Sequence, residues 1–208
     1  MPAPYLYPAK RHKRTLAPGP FTRYQAYKPY LREEFRRQCV YCRTPDGSLR
    51  SNAFGVDHYL PQVRFGTLRT LYSNLYYCCN TCNGRKGGYY PKTVDRAAKR
   101  FIPNPCDHTM TSHVVFRADK VEALTVAGAH TVSLLMFNDD EWLKHRATTR
   151  ASVRQLQEDR RVWREHLSAV RLKLTTATST RPRLESQVAR CSDKISRLNE
   201  LLAGLGVA

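Results

Sequence analysis

The chain has 208 residues, enough for one compact domain with appendages. It carries 35 Lys+Arg against 17 Asp+Glu, a formal net charge of +18, which opposes self-association and attracts polyanions, nucleic acid first among them. No apolar run is long enough to span a bilayer and no basic amphipathic helix dominates, so a membrane is not the expected partner.

Residues 1–20 set five prolines around Lys10-Arg11-His12-Lys13-Arg14. Proline removes backbone donors and the charges repel, so a mobile or surface-draped arm is expected, either gripping phosphate or solvated as a basic tail. The same stretch has no continuous apolar segment of the kind a secretory signal needs. Tyr24, Tyr27, Tyr30, Leu31 and Phe35 then fall at mostly helical spacing, which predicts a short amphipathic helix within 21–38 whose tyrosines are core rather than stacking platforms.

Cys39-x-x-Cys42 and Cys79-x-x-Cys82 are two knuckles with the spacing of tetrahedral zinc ligands. A chain with seven cysteines, four of them so arranged, suits a reducing compartment, the cytoplasm, better than a disulfide framework. Cys78 stands beside Cys79, but Cys79 keeps the two-residue gap, so Cys39, Cys42, Cys79 and Cys82 are the expected structural zinc ligands. Between the knuckles, Thr44–Ser48 is turn chemistry, and Ser51–His58 suits a strand. Pro61–Ser73 reads as a loop, Leu75–Cys78 as a second strand, and Asn83 as the start of a short helix that Gly87-Gly88 ends.

His58 is the natural general base here, because an imidazole can accept a proton near neutral pH. Its neighbour Asp57 offers hard oxygen to a divalent ion such as Mg²⁺. Adjacent strand residues face opposite ways, so the two converge on one site only if the strand ends or bulges there.

Further on, His113–Arg117 and Val121–Thr125 read as two strands joined through Ala118-Asp119-Lys120. His108, His113 and His130 sit in no ligand spacing. From Asn138, a good helix cap followed by Asp139, Asp140 and Glu141, the pattern is helical. Val153, Leu156, Trp163, Leu167, Val170 and Leu174 form one 3-4 repeat, which Arg160 interrupts. Leu184, Val188, Cys191, Ile195, Leu198 and Leu202 form another. The two repeats predict a coiled-coil seam in an antiparallel hairpin, with Cys191 as a small core residue.

The knuckles, Asp57-His58-x-x-Pro61, Asn74-Leu75 and Cys82-Asn83-x-x-Lys86-Gly87 occur in an order that resembles the HNH endonucleases, whose ββα-metal motif many members brace with zinc. The flanks, Tyr27–Arg32 and Asn104-Pro105-Cys106, are similar to the Septu-type HNH nucleases of bacterial defence, which work beside an ATPase. The resemblance covers residues 39–88. It implies that Asn74 holds the His58 imidazole, that Asp57 and Asn83 bind the catalytic Mg²⁺ or Mn²⁺, and that Arg85 and Lys86 hold phosphates. The final position, Asn83, makes this an H-N-N variant.

The expected architecture is α+β: a small zinc-clamped ββα-metal core with a C-terminal helical hairpin. Its parts are a basic Pro/Tyr-rich arm (1–30), the nuclease domain (31–105), a β-rich extension (106–138) and the hairpin (139–208). The expected partners are DNA, with RNA not excluded, and an ATPase subunit or a second copy of this chain. The competing reading is a non-catalytic zinc module that binds nucleic acid.

Overall fold

A computed structural model of the chain describes residues 4–50 and 52–207. Ser51, the expected start of the first strand, lies outside them, as do residues 1–3 of the arm and Ala208 at the end of the hairpin. The fold is mixed α and β, with two small antiparallel sheets and a long C-terminal helical pair. Among the described residues no helix is long and apolar enough to cross a membrane.

Tyr24–Tyr27 forms one 3-10 turn and leads into α1 (Lys28–Glu34), with Pro29 in its first turn, where a missing N–H costs nothing. The helix buries Leu31, and Tyr27 and Phe35 beside it are buried as well. Phe35 meets Tyr76 of the sheet at 5.4 Å between ring centroids. Each such side chain removed from water stabilises the fold by about 1.5–3 kcal/mol. Tyr27 therefore serves the interior, as its spacing indicates, whereas Tyr24 is only half-buried and Tyr30 is exposed.

Strand β1 (Phe54–His58) pairs antiparallel with β2 (Leu75–Cys79), Phe54 opposite Cys79 and His58 opposite Leu75. Every residue of β2 is buried. Helix α2 (Asn80–Lys86) follows with no loop, three residues before the expected start at Asn83. The earlier start has a local cause: Cys79 is the N-cap, and its sulfur accepts from the Cys82 N–H at 3.4 Å. Gly87, at φ +49°, ends the helix in a conformation that side chains resist. A short α3 (Thr93–Ala97) lies beyond.

The arm is draped and held rather than mobile. Tyr5 and Tyr7 are buried, and the Tyr7 hydroxyl donates to the Tyr41 carbonyl. The His12 N–H donates to Pro105 O at 2.8 Å, and Arg14 donates to Leu75 O at 2.6 Å. The Arg14 guanidinium also lies over the rings of Phe35, Tyr72 and Tyr76 at 4.7–4.9 Å, a cation–π cage. Glu34 completes the fastening by accepting from the Thr15 and Leu16 N–H groups at 2.9 and 3.0 Å.

In the extension, β3 (Val114–Arg117) and β4 (Lys120–Ala123) form the expected hairpin, turning at Ala118, φ +50°. The second strand stops short of Thr125 because that residue caps α4 (Val126–Leu134), its hydroxyl accepting from the Gly128 N–H at 3.1 Å. Helix α5 (Asp140–Thr176) is capped by Asp139, which accepts from the Trp142 N–H at 2.8 Å. Asn138, the expected cap, instead pairs with both backbone groups of Val121 at 2.8 Å. The 37 residues of α5 extend about 55 Å.

Helix α6 (Arg181–Gly204) returns along α5. Val153, Val170, Cys191, Leu198 and Leu202 are buried on the seam. Leu156, Trp163, Leu167, Leu174, Leu184, Val188 and Ile195 are half-buried, since two helices shield one side of each other only. At its foot, Val207 packs with Val153 and Leu202, and the Gly204 backbone lies against Gly47, where no Cβ would fit.

Candidate functional site

The first knuckle sits just past α1. Arg43, at φ +57°, returns its N–H to Cys39 O at 3.0 Å, and the Val40 N–H reaches Tyr77 O at 2.9 Å, which fastens the knuckle to β2. The second knuckle straddles the β2–α2 junction. These elements bring Cys39, Cys42, Cys79 and Cys82 together, all buried, with their sulfurs within 4.8 Å of one another. Four thiolates around zinc at about 2.3 Å stand roughly 3.8 Å apart. The Cys42–Cys79 separation is 3.7 Å, and none of these cysteines is in a disulfide. The quartet therefore fits one tetrahedral zinc ion. Cys78 is outside it, with its thiol turned to the Cys79 carbonyl at 3.2 Å. Burial pushes that thiol well above its ordinary pKa, so it stays protonated.

The inner residues meet where β1 ends. Asp57, His58 and Asn83 line one open cleft of about 230 Å³ together with Tyr24, Pro61 and Gly88. The strand does end at His58, which lets neighbours on opposite faces border one space. The His58 Nε2 lies 2.9 Å from Arg69 O. A carbonyl only accepts, so Nε2 carries the hydrogen, which makes Nδ1 the ring nitrogen able to take up a proton. The Tyr24 ring stands edge-on to the imidazole at 4.7 Å.

Asp57 is held from two sides. The Tyr41 hydroxyl donates to Oδ2 at 2.6 Å, and the Lys86 ammonium reaches Oδ1 at 3.1 Å. Burial, reinforced by the Asp57 charge, pushes the Tyr41 pKa far up, so Tyr41 remains a donor. Lys86 also donates to His58 O at 2.7 Å. Two of the four lone-pair positions on the Asp57 carboxylate stay available.

Three expected contacts differ. Asn74 does not touch the imidazole. Its amide accepts from the Leu60 N–H at 2.8 Å and donates to Leu60 O at 3.1 Å and Leu68 O at 3.3 Å, closing the base of the 60–74 loop. Arg69, on that loop, holds the ring instead. Lys86 is 3% exposed and turned inward, because Asp57 draws its ammonium into the interior. Arg85 is likewise spoken for: it donates to Leu135 O and Met136 O at 3.0 Å and pairs with Asp139, tying α2 to the start of α5. Neither basic residue faces the cleft as a free phosphate clamp. Tyr24, Tyr41 and Arg69 were not legible as site residues. Tyr41, inside the first knuckle, is the one whose position could have drawn notice.

A cysteine-clamped strand–strand–helix unit, with an imidazole, a carboxylate and an amide on one cleft, is the class of site these elements define. The chain is 30% identical over 115 residues to Septu protein PtuB of Bacillus thuringiensis. The match takes in 53% of this chain and 42% of that protein, so the chain spans less than half of the curated relative. No protein-family model matches the chain, and no solved structure does.

Proposed function

We propose that the protein is a metal-dependent HNH-type endonuclease that hydrolyses phosphodiester bonds of DNA, with a role in a Septu-type bacterial defence system beside a partner protein. The observation that carries this reading is the convergence of Asp57, His58 and Asn83 on one cleft beside the four-cysteine cluster. The similarity to Septu protein PtuB and the +18 charge point the same way.

His58 Nδ1 takes a proton from the attacking water. The imidazolium that forms keeps its Nε2–H on Arg69 O. Tyr24, edge-on to the ring, limits its rotation. Asp57 and Asn83 would hold Mg²⁺ or Mn²⁺, which when bound supplies positive charge to the phosphoryl and leaving oxygens. Tyr41 and Lys86 keep the Asp57 carboxylate oriented towards that task.

The test is nicking of supercoiled plasmid by zinc-loaded protein in Mg²⁺ or Mn²⁺, against EDTA and against His58→Ala. The expected result is divalent-dependent cleavage lost in the variant. Cleavage by His58→Ala at the wild-type rate sinks the mechanism. A parallel reaction with single-stranded RNA decides between the two nucleic acids.

A further inference from the structure

Segment 57–61 also lines a larger cavity, about 400 Å³, through Tyr59 and Leu60, and the hydrolytic roles leave that cavity unused. Its walls include the rings of Tyr59, Tyr89, Tyr90 and Phe101, with Arg96 and Asp107 at its edge and Lys86 between it and Asp57. Two of the rings are pinned by their hydroxyls, Tyr59 to Ile102 O at 2.7 Å and Tyr89 to Arg100 O at 3.1 Å. Tyr90 is flanked by two exposed guanidiniums, Arg64 at 4.6 Å and Arg96 at 4.7 Å from its centroid.

This is the chemistry of a base-stacking pocket with phosphate binders at its mouth: the faces of Tyr89 and Phe101 accept any base, and Arg64 and Arg96, held over the Tyr90 ring, add charge for the backbone. Asp107 adds a bias. One of its oxygens accepts from Asn104 at 2.8 Å, and the carboxylate has acceptor capacity left for the adjacent N1–H and N2–H donors of guanine, where thymine offers a single N3–H. The pocket also borders the cleft. Leu60, on its wall, is two residues from His58, about 7 Å of extended chain.

We propose that this cavity receives an unpaired base of the substrate strand, next to the phosphate presented to His58, and so gives the enzyme a preference for single-stranded or bulged nucleic acid. The proposal rests on the nuclease reading only in naming the substrate strand as the occupant.

The test is equilibrium binding of the full, zinc-loaded chain in EDTA, using a fluorescent duplex with one bulged guanine, the same duplex with bulged thymine, and the fully paired duplex. Wild type is expected to favour the bulged guanine duplex over the paired one by about tenfold or more, as loss of one stacked base would reverse. Tyr89→Ala and Phe101→Ala should each abolish most of that ratio. Asp107→Ala should erase the guanine-over-thymine difference alone. Reading a ratio guards against a variant that merely folds less well, which would weaken both duplexes together.

Equal binding of bulged and paired duplexes by wild type, or an undiminished ratio in both aromatic variants, overturns the proposal. So does tight binding of free GMP without any bulge preference, which would make this a mononucleotide site. Because EDTA removes catalysis, the two readings fail separately: plasmid cleavage with no bulge preference sinks the pocket alone, and bulge preference without cleavage sinks the nuclease alone.

Discussion

Lys86 separates two views of the basic pair that follows Asn83, and Lys86→Met isolates its charge. Methionine keeps much of the apolar stem while removing the ammonium. In the fold that ammonium lies 3.1 Å from Asp57 Oδ1 and 2.7 Å from His58 O. The two paired side chains are 1% and 3% exposed, so solvent screens little of the interaction. Removing one partner of a buried pair costs about 3–5 kcal/mol, because the other charge is left without compensation. The Tyr41 hydroxyl remains on Asp57 and sets the expectation at the lower half of that range. For a chain of this length each kcal/mol shifts the melting point by about 2–4 °C, so a fall of about 6–16 °C is expected. The assay is thermal unfolding of the zinc-loaded protein, run beside duplex binding at several salt concentrations. Adding Asp57→Asn should recover part of the loss, since the amide needs no cation. The phosphate-gripping alternative predicts the reverse: an unchanged melting point and a salt slope smaller by about one. A Lys86→Met protein that melts with wild type would refute the buried-pair argument.

Two further outcomes follow from the packing around the zinc quartet and the arm. Cys78→Ala should retain one zinc per chain, whereas Cys79→Ser should lose it and unfold the core. Zinc analysis with a melting curve checks both, and zinc retained by Cys79→Ser with loss in Cys78→Ala would reverse the ligand assignment. Acid should loosen the arm. Burial alone would raise the Glu34 carboxyl, but hydrogen bonds from Thr15, Leu16 and Tyr72 hold it below its ordinary 4.5. Its stabilisation is complete above 4.5 and is lost as pH falls through the lowered value. Burial also lowers His12 below 6.5 against the pull of Glu34, so its contribution erodes as pH falls below 6.5. Hydrogen-exchange protection of residues 5–16 should therefore decline from pH 6.5 downward, and Glu34→Gln should flatten the lower part of that decline. Constant protection over the interval would contradict the assignment.

The parts of this chain that could be read in advance are those that local chemistry dictates. Two C-x-x-C spacings identify a sulfur quartet whatever joins them, because four soft ligands at short separations have few other uses. Alternation and turn residues place β1, β2, β3 and β4 to within a few positions, and the 3-4 repeats give the α5–α6 hairpin. What could not be read is decided by contacts between distant segments. A lysine at the end of a short helix, just before two glycines, looks solvent-exposed until Asp57, 29 residues earlier, is seen beneath it. Arg85 looks the same until Asp139 arrives from α5. The arm looks disordered by composition, yet Tyr5, Tyr7 and the Arg14 cage find aromatic partners that no periodicity records. Helix α4 was missed because its Val126–Leu134 segment has no one-sided apolar pattern, and the Thr125 cap is its clearest signal.

Asn74 carries the same lesson into the candidate mechanism. Its side chain acts on the loop and reaches His58 only through Arg69. Asn74→Ala removes three hydrogen bonds, those to Leu60 N, Leu60 O and Leu68 O. At about 0.5–1.5 kcal/mol each, with the third the weakest by length, the cost is about 2–3 kcal/mol, most of it local to the loop. The β1–β2 ladder keeps its own hydrogen bonds, and the Tyr59 N–H to Asn74 O bond at 3.0 Å, just past the ladder's end, is one that no side-chain change removes. Hydrogen exchange should therefore accelerate across residues 60–73 while β1 and β2 stay protected. Cleavage should fall in kcat, because the Arg69 carbonyl no longer fixes the tautomer and angle of the ring. Asn74→Asp sets a buried carboxylate oxygen against Leu60 O and Leu68 O, two acceptors, and should fare no better than alanine. If activity is lost in Asn74→Ala while the loop remains as protected as in wild type, Asn74 acts at the imidazole or the substrate and the loop argument is wrong.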